Sequence, residues 1–384
     1  MKSPPFDRAL LGCALALTAF GLVMVNSAGA LLALDRYGDP YLFAKRQGLA
    51  AAAGLGTMFL AARMDYRRLE RLSLPLLALT LLLLAAVFLP GLGRSAGGAR
   101  RWLQLGPAVM QPAEFAKLAL VVFASAALVR RGERLREFTS GYLPVAVPVG
   151  AALLLIALQP DLGSALLMSA ALGGLFFAAG ARLRHLVGTL LLASPALFFA
   201  LFTVPYRRRR ILAFLDPWSD PSDSGYQILQ SLLALGRGGV VGLGLGEGRQ
   251  KLFYLPEPHT DFIYAVVGEE LGMVGAIAVL AALCVLCWRG FRLALRSPDP
   301  FGAHLAAGLT LMVGLQALLH IGVVVGFLPT KGLPLPFVSQ GGSSLWFALA
   351  AVGLLLSVSA RSGPEFRPVG PPNVGPPNEG RAAS

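Results

Sequence analysis

The sequence predicts an all-α integral membrane protein, a bundle of ten transmembrane helices with one long extracytoplasmic loop between the seventh and eighth. Three observations carry that prediction. Apolar residues make up 55% of the 384 positions, charged residues only 14%, and mean hydropathy is +0.67, where a soluble domain would be about a quarter charged. Leu10 to Asn26, Leu72 to Leu89 and Leu186 to Val204 contain no charge at all, and each approaches the roughly 20 residues needed to cross hydrocarbon. Basic residues also concentrate in alternate loops, the pattern of a chain threaded repeatedly through a bilayer.

Apolar segments separated by charges or Gly/Pro clusters place the spans near 10–29, 45–62, 73–90, 113–129, 142–158, 162–180, 186–204, 261–288, 303–326 and 343–360. Only Gln159-Pro160-Asp161 separates the fifth from the sixth, a tight re-entry in which proline ends one helix and opens the next. Lys2 and Arg8 precede the first apolar run as in a secretory leader, but the second span follows so soon that a retained first helix is expected. With the N-terminus inside, the N-terminal segment and short loops on that side hold fifteen Lys and Arg, including Arg63, Arg67, Arg68, Arg71, Arg130, Arg131, Arg134 and Arg136, against seven in the short loops and adjoining span ends opposite. The positive-inside rule therefore predicts a multi-pass membrane protein with both termini cytoplasmic.

The formal charge of +13, from 33 basic and 20 acidic residues, is explained by those loops and implies no nucleic acid. Cys284 and Cys287 form a C-x-x-C inside an apolar helical run, where small thiols serve packing and no redox or metal role is expected. Residues 1–361 read as one membrane domain. Within it, 205–258 is too long for a passive connection: it carries Tyr206-Arg207-Arg208-Arg209-Arg210, then Phe214-Leu215-Asp216-Pro217-Trp218, then a glycine-rich stretch from Gly236 to Gly248. Gly242-Leu243-Gly244-Leu245-Gly246 has the wrong spacing for a dinucleotide fingerprint, and no strand–helix unit surrounds it. Residues 362–384 repeat Gly-Pro-Pro-Asn and are expected to form a disordered cytoplasmic tail.

Polar residues at the outer ends of spans are costly unless used, and four groups collect there. Arg100-Arg101-Trp102 leads to Gln111-Pro112-Ala113-Glu114-Phe115-Ala116-Lys117, where Glu114 and Lys117 share a helix face, as a structural ion pair or as part of a site. Asp161 in Gln159-Pro160-Asp161-Leu162-Gly163-Ser164 is either a helix cap or a ligand residue. Leu255-Pro256-Glu257-Pro258-His259-Thr260-Asp261-Phe262 puts an acid beside a histidine as the chain enters the membrane, the arrangement of a general base. Pro329-Thr330-Lys331-Gly332 followed by Ser339-Gln340-Gly341-Gly342-Ser343-Ser344 offers small residues for close backbone approach and one cation. Glu269 and Glu270, deeper in the eighth span, need partners, expected from an Arg or Lys of another helix. Cations at the surface with apolar grooves below suit a lipid-linked diphosphate, leaving open whether it is transported or reacted upon.

These motifs, in this order over about residues 10–360, resemble the SEDS family (shape, elongation, division and sporulation). Pro329-Thr330-Lys331-Gly332 and Phe214-Leu215-Asp216-Pro217-Trp218 resemble its division, FtsW-like branch more than its elongation, RodA-like branch. Gln340 stands where the family usually has an aromatic residue. The resemblance implies a ten-helix peptidoglycan glycosyltransferase that polymerises lipid II on the outer membrane face, working with a class B penicillin-binding protein and other divisome proteins. It makes Asp261 the catalytic base and Arg100, Arg101, Lys117 and Lys331 the cations that neutralise the leaving undecaprenyl diphosphate. Glu114 would orient Lys117, and Trp102, Gln111, Asp161, His259, Ser339 and Ser343 complete the expected substrate-binding set. A divalent cation, Mg or Mn, would suit the diphosphate, although no metal-ligand spacing in the chain argues for one. A flippase for the same lipid and a non-catalytic division scaffold are the competing readings; a flippase usually shows internal repeats and a polar pathway at the midplane, and no clear repeat is seen.

Overall fold

The computed structural model describes residues 6–96, 99–106, 108–223 and 225–362; the expected tail, beyond Ser362, lies outside them. Helices occupy all ten segments predicted as spans: α1 (Arg8–Tyr37), α2 (Leu42–Arg63), α3 (Arg67–Ala86), α4 (Pro112–Arg131), α5 (Leu143–Leu158), α6 (Leu162–Ala178) and α7 (Leu183–Phe202), then, after α8 (Pro205–Leu215) and α9 (Tyr226–Gly238), α10 (Ile263–Arg296), α11 (Pro300–Val324) and α12 (Gly342–Arg361). Among the described residues eight helices are long and apolar enough to cross a membrane. The other two segments fall short: α6 has 17 residues, and α2 carries Lys45-Arg46-Gln47 in its first two turns and is rich in alanine and glycine. Length and composition thus establish a polytopic helical protein without establishing a ninth or a tenth crossing. The all-helical expectation also misses one element, a three-stranded antiparallel sheet of β1 (Gly93–Ala96), β2 (Ala99–Leu105) and β3 (Ala108–Met110) between α3 and α4.

Local chemistry sets the helix ends. The Asp7 carboxylate accepts from the backbone N–H groups of Ala9 and Leu10, capping α1, and also meets Arg289 of α10 at 2.6 Å. Helix packing relies on small residues, as expected where apolar burial cannot drive association in lipid. A Cβ at Gly353 of α12 would stand 2.4 Å from the Met58 carbonyl of α2. Helix α4 lies at the centre of the bundle, buried along most of its length, whereas α7 buries only His185 and presents leucine and phenylalanine outward.

The long 205–258 connection is ordered around its two helices. Ser231 of α9 donates to the Val324 carbonyl of α11. The glycine-rich stretch then supplies what α10 lacks. At Gly272 the helix is broken (φ 65°, ψ −164°), which frees backbone groups that hydrocarbon cannot satisfy. Leu243 and Gly244 donate N–H groups to the Glu269 and Glu270 carbonyls, and Met273 and Val274 donate to Gly239 and Val240. Only glycine fits at the crossing: a Cβ at Gly242 would lie 2.2 Å from the Glu270 carbonyl oxygen.

The two buried acids are held by the same stretch. Glu269 accepts from the backbone of Arg249 and Gln250. Glu270 pairs with Lys251 at 2.6 Å and accepts from the Ser27 hydroxyl and Gly246 N–H. The cation thus comes from the loop, not from another helix as expected, because the loop folds back to the depth of the break. Lys251→Met would leave the Glu270 charge unpaired in the interior, at roughly 3–5 kcal/mol. Thermal melting in detergent should show that loss, and Glu270→Gln in the same chain should restore much of it.

Candidate active site

The sheet places the first basic group. Arg101 on β2 donates Nη2 to the Pro160 carbonyl at 2.8 Å, while its Nε–H is buried with no hydrogen-bond partner, a donor open to an anionic ligand. Trp102 sits opposite Arg94 on β1 and is half-buried. Arg100 is exposed, its Nη1 reaching only the Phe88 carbonyl at 3.5 Å.

The chain then enters α4 through Gln111, which joins three helices. Its side-chain amide donates to Asp161 Oδ2 at 3.1 Å and its backbone N–H to Ser343 Oγ at 3.3 Å. Asp161 caps α6 by accepting from Ser164 N–H and hydroxyl. One and a half turns into α4, Lys117 donates to Glu114 Oε1 at 2.7 Å and to Gln316 Oε1 of α11 at 2.8 Å. All three are nearly buried and line a small cavity of about 30 Å³, closed by Met312, Ser344 and Phe347, room for about one water.

Two loops carry the rest and are stitched together by backbone groups. Ser339 Oγ donates to the Thr260 carbonyl at 2.7 Å and accepts from Leu335 N–H, while Gln340 N–H donates to the His259 carbonyl. Gln47 of α2 donates to Ser339 O and accepts from Gly341 N–H. The His259 ring stacks on Phe43 at 4.4 Å. Burial, helped by Arg36, depresses its basicity to a pKa of about 4, so the ring is neutral at physiological pH. Burial also lowers the Lys331 ammonium below its ordinary value.

Asp261 lies where these parts converge, just before α10, and is half-buried. Burial raises its carboxyl to about 6, and the Glu257 carboxylate pushes the same way; Arg210, the Thr260 hydroxyl and Arg101 oppose the rise. Gly332 packs directly on it: a Cβ there would be 3.2 Å from Asp261 Oδ2. Arg210, from α8, donates to the Thr330 carbonyl at 3.2 Å. A carboxyl raised to about 6, with the Arg210 and Arg101 charges acting on it and Gly332 packed against it, can take a proton from a hydroxyl while cations receive an anionic leaving group. Gly332→Val should therefore lower turnover about tenfold or more by displacing a ligand or the carboxylate; unchanged turnover with normal expression would show that the approach is not needed.

The structure gathers Asp261, Arg101, Gln111, Asp161, Lys331, Ser339 and Ser343 through two loops and the ends of α4, α6 and α12. Glu114 and Lys117 sit in the adjoining cavity, and His259 is packed under the loop against Phe43. Three residues escaped the sequence reading. Arg210 was hidden in a run of four arginines, Gln47 in the polar opening of α2, and Gln316 was a single amide in an apolar span, a signal that intramembrane polar cost makes detectable. No three His, Cys, Asp or Glu among the described residues come together in a way that would hold a metal ion.

Comparison with known proteins places this arrangement. The family model described as cell cycle protein, FtsW/RodA/SpoVE, matches residues 7–363. A probable peptidoglycan glycosyltransferase FtsW of Geobacter metallireducens is 48% identical over 93% of this chain and 95% of its own length. Stage V sporulation protein E of Bacillus subtilis is 43% identical over 94% of this chain and 98% of its own. Among solved structures, a chain from work on the coordination of polymerization and crosslinking by a peptidoglycan synthase complex superposes with a TM-score of 0.76 at 33% identity, covering 93% of this chain and 98% of that one. The rod shape determining protein RodA of Thermus thermophilus gives 0.68 at 33% identity, with 93% and 97% covered. A polytopic helical bundle with the motifs in order and matches over nearly the whole length leaves one assignment: the chain belongs to the FtsW/RodA/SpoVE cell cycle protein family.

Proposed function

We propose that this chain is an inverting peptidoglycan glycosyltransferase that polymerises lipid II, with Asp261 as general base. The observation that carries the reading is the Asp261 carboxyl, raised to about 6 and packed against Gly332, with Arg210 and Arg101 acting on it electrostatically. Asp261 takes the proton of an acceptor sugar hydroxyl as that oxygen attacks the anomeric carbon of the donor. The new C–O bond forms as the bond to the diphosphate breaks, so undecaprenyl diphosphate leaves and the configuration inverts. Arg101, whose Nε–H has no partner, is suited to meet the leaving diphosphate with Lys331 and the more exposed Arg100. Lys117 acts from the cavity, oriented by Glu114 and Gln316. Gln111, Asp161, Ser339 and Ser343 hold the loops that form the site, Trp102 offers an aromatic face at its rim, and His259 supports the Asp261 loop from below.

The topology proposed with this reading is ten crossings, α2 and α6 included, both termini cytoplasmic and the Asp261 loop outside, which follows the loop charges. The similarity to a chain of a synthase complex that couples polymerization and crosslinking supports a class B penicillin-binding protein as partner, and the FtsW-named relatives support a divisome setting. Magnesium or manganese remains a proposal for the substrate diphosphate alone. The test is to reconstitute the chain with its cognate transpeptidase, supply lipid II, and measure glycan chain length. Glycan chains support the reading; lipid II crossing the bilayer without polymer overturns it.

A further inference from the structure

Only Thr203 and Val204 separate α7 from α8. Because α7 buries just one residue and exposes Leu190, Leu191, Leu192, Phe198 and Phe199, it stands in hydrocarbon, and α8 begins where the chain leaves it. Helix α8 contains four consecutive arginines and no acid, and it buries only Ala213. The arginines divide by direction. Arg207 is tied back to the Ala200 carbonyl at 2.7 Å, and Arg210 lies over the Tyr206 ring and donates to Thr330 O. Arg208 and Arg209 are exposed, and Arg209 meets Asp223 at 3.7 Å with both side chains largely in solvent, a pair of little energetic value.

Arg208 shares its helix face with Leu212 and Leu215 by the three-and-four spacing. Leu212 is 50% exposed, Leu215 72%, and Trp218 in the turn that follows 74%. In bulk water this face would leave leucine and indole bare. At the membrane interface the apolar side chains enter the acyl boundary, tryptophan finds its preferred depth, and guanidinium groups reach phosphates.

We propose that α8 lies in the interface of the leaflet at the end of α7, with Leu212, Leu215 and Trp218 in the acyl boundary and Arg208 and Arg209 on the phosphates of anionic phospholipids. Continuity with the lipid-facing surface of α7 and the positive charge of the helix favour a lipid surface over a soluble partner. The same helix carries Arg210 to the Thr330 loop, so the lipid seat also steadies a cation beside Asp261; that consequence rests on the polymerase reading, whereas the seat itself does not.

The experiment uses the full chain with Trp102, Trp288 and Trp346 replaced by phenylalanine, leaving Trp218 as the reporter. It is placed in nanodiscs of phosphatidylcholine with or without phosphatidylglycerol, plain or brominated near the top of the acyl chains. Bromination should remove about half or more of the Trp218 emission. Phosphatidylglycerol retained by the protein should fall about fivefold for each arginine removed in R208Q and R208Q/R209Q. Emission unchanged by bromination but fully quenched by aqueous iodide would place α8 in water and overturn the proposal. Equal phosphatidylglycerol retention by the wild-type and R208Q/R209Q chains would overturn its anionic-lipid part. Neither readout requires catalysis, so a failure here is distinct from a failure to polymerise lipid II.

Discussion

Asp261→Asn is expected to lower lipid II polymerisation about 100- to 10,000-fold, the range a positioned general base contributes. Folding and binding to the transpeptidase should survive, since a neutral amide replaces a carboxyl whose charged form burial already disfavours. The pH profile makes the assignment specific. The base form is required, so turnover should fall as pH drops through about 6, the value to which burial and Glu257 raise the carboxyl. Glu257→Gln removes a neighbouring negative charge and should move that acid limb to lower pH; Arg210→Gln removes a positive one and should move it higher. Glycan chain formation against pH, measured for the wild type and the three variants, checks this. Normal polymerisation by Asp261→Asn would end the base assignment.

Lys117→Met is expected to destabilise the bundle and to abolish most activity. It leaves the Glu114 carboxylate and the Gln316 amide oxygen without their shared donor in the interior, and breaking a buried pair from one side costs roughly 3–5 kcal/mol. Loss of activity from that variant alone would not separate folding from chemistry. Lys117→Met with Glu114→Gln removes the stranded charge, so thermal melting should recover toward the wild type. Polymerisation should stay low, because the ammonium proposed to act on the diphosphate is still missing. A double variant that melts and polymerises like the wild type would confine the pair to a structural role.

The membrane class, the ten apolar helical segments and the order of the motifs were legible in the sequence because each depends on local composition. Charge-free runs such as Leu186 to Val204 have few alternatives to spanning hydrocarbon, and proline and glycine mark where they end. The sequence also marked Asp261, Arg101 and Lys117, since charges at the ends of apolar spans are costly and therefore conspicuous. It could not show the small sheet that carries Arg101, because strands this short have no periodicity strong enough to read. Nor could it identify Lys251 as the partner of Glu270, or Arg210 as the cation beside Asp261. The first joins residues brought together when the 205–258 connection folds back against the break in α10 at Gly272, and the second follows from α8 setting Arg210 against the Thr330 loop. That return is dictated by backbone N–H and carbonyl groups needing partners inside the membrane, a requirement every residue shares and no single side chain announces. The sequence by itself determined what must enter the bilayer and which charges would be exceptional there. The tertiary structure alone decided which of those charges meet, because their encounter depends on hydrogen bonds between segments far apart in the chain.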